Sequence, residues 1–187
     1  MTNRERTILG IDPGTNILGF GIIRVDASGK PHFVDMGVVD LRKVASAYDK
    51  LEIIREKVGA LCELHHPDDL AIESPFYGKN AQVILKLGRA QGAAMVAGLE
   101  HGVQICEYAP RKAKMAICGN GAASKEQVSL IVQRTLGIEI ANKYLDATDA
   151  LALAMCHFYQ LTSPLAAVQA TGSWEKFVAS NPERIKK

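Results

Sequence analysis

The chain has 187 residues, of which 48% are hydrophobic and 22% are charged, with a formal net charge of +2. This balance is typical of one globular domain, and so weak a positive charge neither requires nor excludes nucleic acid as a partner. No apolar run reaches the ~18 residues that a membrane span needs. The apolar residues that follow Arg4 and Arg6 are also too few for a secretory signal. We therefore expect a cytoplasmic protein that does not enter a membrane.

The first forty residues predict three antiparallel strands. Residues 8–11 and 20–25 are short apolar runs joined by the turn sequence DPGTN. A second turn, SGKP, precedes a third apolar run over residues 32–40. The spacing of the apolar residues then changes to that of a helix, which predicts a helix over residues 45–64.

The remaining residues predict two more strands alternating with helices. Ser124 followed by Gln127 forms a capping box, which predicts a helix that ends before Gly137. The predicted strands cover residues 69–73 and 103–108, and the predicted helices cover 80–100, a segment from Pro110, 125–136 and 146–161. This order predicts an α/β fold with a mixed five-stranded sheet flanked by helices. We expect residues 1–161 to form one domain and residues 162–187 to form a peripheral tail.

The four cysteines stand far apart in the sequence. None forms a C-x-x-C pair, so the spacing does not support a zinc or redox motif. We expect the four to be small core residues in a reducing compartment. They are Cys62, Cys106, Cys118 and Cys156.

Four carboxylates stand at the ends of predicted elements. Asp12 ends the first strand, Glu73 ends the fourth, and Asp146 and Asp149 share one face of the last helix. Alone, each has a simpler explanation, as a turn residue, a solvated side chain or a partner of the helix dipole. Together they suit a divalent cation, which prefers oxygen ligands and leaves positions open for water or phosphate.

Four stretches resemble the RuvC-type Holliday junction resolvases of the RNase H-like superfamily. They are GIDPGTNILGFGII, AIESPFYGKN, LKLGRAQGAA and DATDALALA, in the family's order between residues 8 and 158. The resemblance implies a homodimeric endonuclease that resolves four-way DNA junctions by paired nicks in recombination and repair. It also implies one or two Mg²⁺ ions per subunit, which Mn²⁺ can replace, and a branch-migration complex of the RuvA and RuvB type as partner. By motif position, the metal-binding catalytic residues are Asp12, Glu73, Asp146 and Asp149.

The resemblance also implies a set of DNA-binding residues. Phe76 is either a loop anchor or, as the family suggests, an aromatic side chain that contacts distorted bases, and Tyr77 is a second candidate. Lys114 and Lys125 match basic residues that the family needs for cleavage, although a solvated helix face is the commoner fate of such charges. Further predicted DNA contacts are Lys79, Lys86, Arg89, Arg111 and Lys112.

The helix over residues 80–100 is rich in alanine and glycine. Small side chains allow another helix to approach closely, either within the chain or from a second copy. The family places its dimer contact on this helix, so the resemblance predicts the homodimer there.

Three alternatives remain open from the residues. IDPGTN also resembles the phosphate-binding hairpin of the sugar kinase, actin and Hsp70 superfamily, but those enzymes need two large lobes. A general RNase H-like nuclease would use the same carboxylates. A non-enzymatic DNA-structure binder is a weaker alternative, because carboxylates repel phosphate unless a metal lies between them.

Overall fold

A computed structural model describes residues 5–74, 80–139 and 145–163 of the chain. The strands are β1 (Arg6–Asp12), β2 (Ile17–Val25), β3 (Pro31–Asp40), β4 (Asp69–Glu73) and β5 (Gln104–Tyr108). The helices are α1 (Ala47–His65), α2 (Ala81–Glu100), α3 (Pro110–Cys118), α4 (Lys125–Leu136) and α5 (Leu145–Thr162). Most of the predicted tail lies outside the described residues, and the division at residue 161 stays a prediction.

The five strands form one sheet in the order β3-β2-β1-β4-β5. The first three strands are antiparallel, whereas β4 lies parallel to both β1 and β5. The predicted mixed sheet is therefore confirmed. Strands β1 and β2 are longer than predicted, because their hairpin pairs residues as far as Arg6 with Val25 and Asp12 with Gly19.

Both faces of the sheet are covered. Along β1 the side chains alternate, so that Ile8 packs in the core that includes Leu151 of α5. Leu9 instead packs in the core that includes Ile54 and Val58 of α1. This alternation is the period of two that a strand imposes. The central strands are buried on both sides, and only their ends are available for a site.

Helix α5 lies unusually close to the sheet because glycines face it. A Cβ atom at Gly10 would lie 1.9 Å from the carbonyl oxygen of Ala150, and one at Gly19 would lie 2.1 Å from that of Asp146. Only glycine permits such an approach of two backbones. The start of α5 is thereby held against the end of β1.

Helix α4 begins with the predicted capping box. The Ser124 hydroxyl accepts from the Gln127 amide at 3.2 Å, and the Gln127 side chain accepts from the Ser124 amide at 2.9 Å. This cap makes Lys125 the first residue of the helix.

Among the described parts of the chain, no helix is both long enough and apolar enough to span a bilayer.

Candidate active site

Three aspartates meet at one edge of the sheet. Asp12 is the last residue of β1, Asp146 lies in the first turn of α5, and Asp149 follows it three residues later on the same helix. One carboxylate oxygen from each lies within 4.8 Å of the others. Such a set of oxygen donors suits a hard divalent cation, which also keeps water among its ligands.

Glu73 lies at the same edge but at the margin of this cluster. It ends β4, and the pairing of Ile11 with Ile72 places it level with Asp12. Its carboxylate is not among the three that meet within 4.8 Å. Its negative charge nevertheless raises the pKa of Asp12, and the charge of Asp149 raises the pKa of Glu73.

Burial and mutual repulsion make the charged forms of these acids unfavourable. Burial, followed by the charges of Glu73 and Asp149, raises the pKa of Asp12 to about 7, and Lys125 opposes the shift. Burial is also the largest cause of the raised pKa values of Glu73 and Asp149. A site that crowds acids together in this way gains most from a bound cation.

Two lysines from different helices face the acids. Lys125 Nζ lies 3.4 Å from Asp146 Oδ1 and forms an ion pair with Asp149. Burial lowers the pKa of Lys125, but the hydrogen bond to Asp149 and the nearby negative charges outweigh burial and raise it. Lys114 of α3 acts from further away, and its positive charge lowers the pKa of Glu73 and Asp149.

The predicted DNA contacts fall on two surfaces. Arg111 and Lys112 are exposed on α3, where Lys112 Nζ lies 5.1 Å from the centre of the Tyr108 ring. Lys86 and Arg89 of α2 line a groove of about 320 Å³ that also contains residues of α1 and of the β1–β2 turn. Phe76, Tyr77 and Lys79 lie outside the described residues.

Lys50, which no sequence pattern singled out, lines the same groove. Its Nζ donates to the Thr15 carbonyl at 3.0 Å and to Asn16 Oδ1 at 3.2 Å, so it lies beside the turn that follows Asp12. Tyr48, with 79% of its surface exposed, also lines the groove. No local pattern marks these two residues, because the groove exists only where α1 packs beside the turn.

Comparisons with known proteins agree on one family. The family model described as crossover junction endodeoxyribonuclease RuvC matches residues 8–157, a range that includes all four carboxylates. The crossover junction endodeoxyribonuclease RuvC of Bacteroides fragilis is 52% identical over 185 residues, covering 98% of this chain and 97% of that protein.

Solved structures agree with the sequence comparisons. The RuvC structure from Thermus thermophilus matches with a TM-score of 0.74 and 34% identity, covering 83% of this chain and 95% of that one. The structure of T. thermophilus RuvC in complex with a Holliday junction substrate matches with a TM-score of 0.74 and 31% identity, covering 84% and 96%. The predicted fold class is confirmed by these matches.

Proposed function

The chain belongs to the crossover junction endodeoxyribonuclease RuvC family, and on this premise we propose that its acid cluster cleaves the strands of four-way DNA junctions. The enzyme class predicted from the sequence, an endodeoxyribonuclease of recombination and repair, is confirmed by this membership. The observation that carries the proposal is the meeting of Asp12, Asp146 and Asp149 within 4.8 Å, with Lys125 against them. The junction complex of the T. thermophilus protein supports the choice of substrate.

The family is one of metal-dependent nucleases, and the donor set fits a hard cation because it offers carboxylate oxygens alone. We assign this ion as Mg²⁺, one or two per subunit, with Mn²⁺ able to replace it. The ligands are Asp12, Asp146 and Asp149, with Glu73 at the margin to hold a second ion or a water. When bound, the ion supplies Lewis-acid charge for the attacking water and for the phosphate oxygens.

The lysines act on the charge that develops during cleavage. Attack of water on a phosphodiester concentrates negative charge on the phosphate oxygens. Lys125 lies against the acids and Lys114 acts from further away on a separate helix, so both can stabilise that charge. With a metal ion bound, the carboxylates would hold the ion, and Lys125 would be free to pair with a phosphate oxygen instead.

Two basic surfaces are proposed to hold the DNA arms. Lys86, Arg89 and Lys50 line one groove, and Arg111 and Lys112 lie on α3. Contacts of this kind neutralise phosphates and make binding sensitive to salt. Phe76, Tyr77 and Lys79 follow Glu73 in the sequence and are proposed to meet the bases and backbone at the crossover.

Helix α2 presents two different faces. Its inner face packs on α1 and on strands β4 and β5 through Ala90, Ala94, Ala97 and Gly98, so part of its small-residue content serves packing within the chain. The outer face carries a stripe at spacings of three and four residues, in which Cβ atoms at Gly88 and Gly92 would meet nothing within 4 Å. This outer stripe consists of Ala81, Leu85, Gly88, Gly92, Val96 and Leu99.

The outer stripe is the proposed dimer contact. Leu85, Val96 and Leu99 are 55%, 47% and 61% exposed, which is unusual for aliphatic side chains that follow one helix face. A twofold dimer through α2 would give the two sites that paired nicks require. By the same resemblance, the further partner is a RuvA- and RuvB-type branch-migration complex, and the proposed location is the cytoplasm.

Cleavage of a synthetic four-way junction with Mg²⁺, beside a linear duplex with the same arms, tests the proposal. We expect paired nicks in the junction alone, and none with the Asp12→Asn variant, which controls for contaminating nucleases. Cutting of both substrates would indicate a general RNase H-like nuclease instead. A folded protein that cuts neither substrate would contradict the proposal.

A further inference from the structure

A second cluster of candidate metal ligands lies at the other end of the sheet. It comprises Asp69 at the start of β4, Cys106 of β5 and His157 of α5, with one donor atom from each within 4.8 Å of the others. Glu73 ends the strand that Asp69 begins, so at ~3.3 Å per residue the Cα atoms of these two residues are about 13 Å apart. The cluster shares no residue with the acidic site.

The His157 imidazole is oriented as a ligand would be. Its Nδ1 lies 2.6 Å from the Tyr108 hydroxyl oxygen, while Nε2 is buried and has no hydrogen-bond partner among the described residues. Nε2 faces Asp69 Oδ2 at 3.5 Å, which is too long for a good hydrogen bond. Two ligands at ~2.0 Å from a tetrahedral zinc ion would stand about 3.3 Å apart.

Neighbouring groups hold two of the three donors in place. The Tyr108 hydroxyl can accept from Nδ1–H, which leaves the Nε2 lone pair directed into the cluster. Arg6 holds the Asp69 carboxylate through an Nη2 contact of 3.1 Å to Oδ1 and an ion pair from Nε to Oδ2. Ligands of metal ions are commonly fixed by such outer hydrogen bonds.

We propose that Asp69, Cys106 and His157 form a second metal site, selective for Zn²⁺ or another thiophilic divalent ion. Thiolate and imidazole ligands favour such ions over Mg²⁺, unlike the oxygen donors of the acidic cluster. Asp69 and His157 are 1% and 4% exposed, whereas Cys106 is partly exposed and offers a route for the ion and a water ligand. The site would tie β4, β5 and α5 together.

Titration of the metal-free full chain with Co²⁺ alone, followed by absorption spectroscopy, tests the site. Co²⁺ bound by a thiolate gives a sulfur-to-metal charge-transfer band, which the sulfur-free acidic cluster cannot produce. We expect the band to saturate at about one equivalent per chain. The Cys106→Ser variant should lose it, whereas Cys118→Ser, a partly buried cysteine outside the cluster, should retain it.

A second measurement guards against misfolding of the variant. Zn²⁺ should raise the unfolding temperature of the unmodified chain and of Cys118→Ser by more than that of Cys106→Ser or Cys106→Ala, in which the acidic cluster alone remains to bind the ion; each variant is checked by circular dichroism. A wild-type chain without the band would overturn the proposal. So would a band that survives Cys106→Ser, or one that Cys118→Ser also removes.

Discussion

Two buried or half-buried aspartates show how the surroundings of one residue type decide its role. Burial raises the pKa of Asp69, but pairing with His157 and Arg6 outweighs burial and lowers it below its usual value. For Asp12, burial and then the charges of the neighbouring acids act in the same direction, and together they raise the pKa to about 7. Asp69 pairs with positively charged side chains of the protein, whereas a charged Asp12 would gain from a cation supplied from outside the chain.

Replacement of Asp12 by asparagine separates the role of this residue as a metal ligand from its repulsion of the neighbouring acids. We expect Asp12→Asn to reduce junction cleavage by about 100-fold or more, because a metal ligand is lost, while junction binding persists. In EDTA the variant should unfold at a higher temperature than the wild type, because one of the mutually repelling charges is gone. Gel assays of cleavage and binding, together with thermal unfolding, measure all three.

The matched control for this variant is Asp40→Asn. Asp40 also ends a strand, but it is exposed and pairs with Arg42. Its replacement should leave cleavage unchanged. Full activity of Asp12→Asn, or loss of its fold, would contradict the metal assignment.

Lys125 gives a second prediction at the level of single residues. Lys125→Ala removes a positive charge from beside Asp146 and Asp149, so Mg²⁺ should bind more tightly while cleavage slows by 10-fold or more. Binding to DNA should change its salt dependence by about one unit of slope or less. Calorimetry with Mg²⁺ and single-turnover cleavage check these outcomes, with the exposed Lys57→Ala of α1 as control. Weaker Mg²⁺ binding, or an unchanged rate, would exclude this role.

Among the secondary-structure elements, α5 contributes most to the site, and glycines determine where it lies. The helix carries Asp146 and Asp149, and its first turn lies against Gly19 of β2, which pairs with Asp12. A side chain at position 19 would push the helix away from the sheet. The distance between the aspartates of α5 and Asp12 therefore depends on the absence of a Cβ atom in a neighbouring strand.

Gly19→Ala should lower both stability and activity. Its Cβ atom would lie 2.1 Å from a backbone oxygen that cannot move without α5, so we expect a loss of about 1–3 kcal/mol in the free energy of unfolding. Cleavage should fall further than binding. Denaturant unfolding and cleavage assays measure these effects.

Gly59→Ala serves as the control for Gly19→Ala. Its Cβ atom would stand 3.4 Å from the His101 ring, and alanine favours the helical conformation of α1. It should be neutral or stabilise the fold by up to ~1 kcal/mol. If both variants lost stability and activity equally, the close approach of α5 to Gly19 would not be the cause of the loss.

At the scale of the whole molecule, paired nicks require two sites related by symmetry. Among the described residues, one chain carries one cluster of three aspartates. The outer stripe of α2 is exposed and apolar, whereas the inner face of the same helix is already packed. A twofold contact through the stripe would bury it and set the distance between the two clusters.

Leu99→Glu tests this assembly. Because Leu99 is 61% exposed, the folded monomer should tolerate the charge, but the dimer should dissociate at micromolar concentration. Leu64→Glu, at a 71% exposed position of α1, should remain dimeric. Light scattering after gel filtration measures the mass, and a Leu99→Glu dimer of unchanged affinity would place the contact elsewhere.

The sequence by itself determined the elements and the family, and it predicted four carboxylates as the site, three of which meet in the structure. Strand alternation, the capping box at Ser124 and the three-residue spacing of Asp146 and Asp149 depend on residues close together in the chain. Such patterns are local and can be read before any packing is known. The motifs around Asp12, Glu73 and the last helix were also sufficient to identify the family.

Only the tertiary structure decided which distant side chains meet. It brought Lys125 against two aspartates and placed Lys50 beside the β1–β2 turn. It also brought together Asp69, Cys106 and His157. Cys106 lies 37 residues after Asp69 in the sequence, and His157 lies 51 residues after Cys106. The physical reason is that sheet register and helix packing result from many weak contacts spread over the whole core. No single stretch of sequence specifies which distant side chains meet, whereas each local pattern by itself specifies a strand, a helix or a cap.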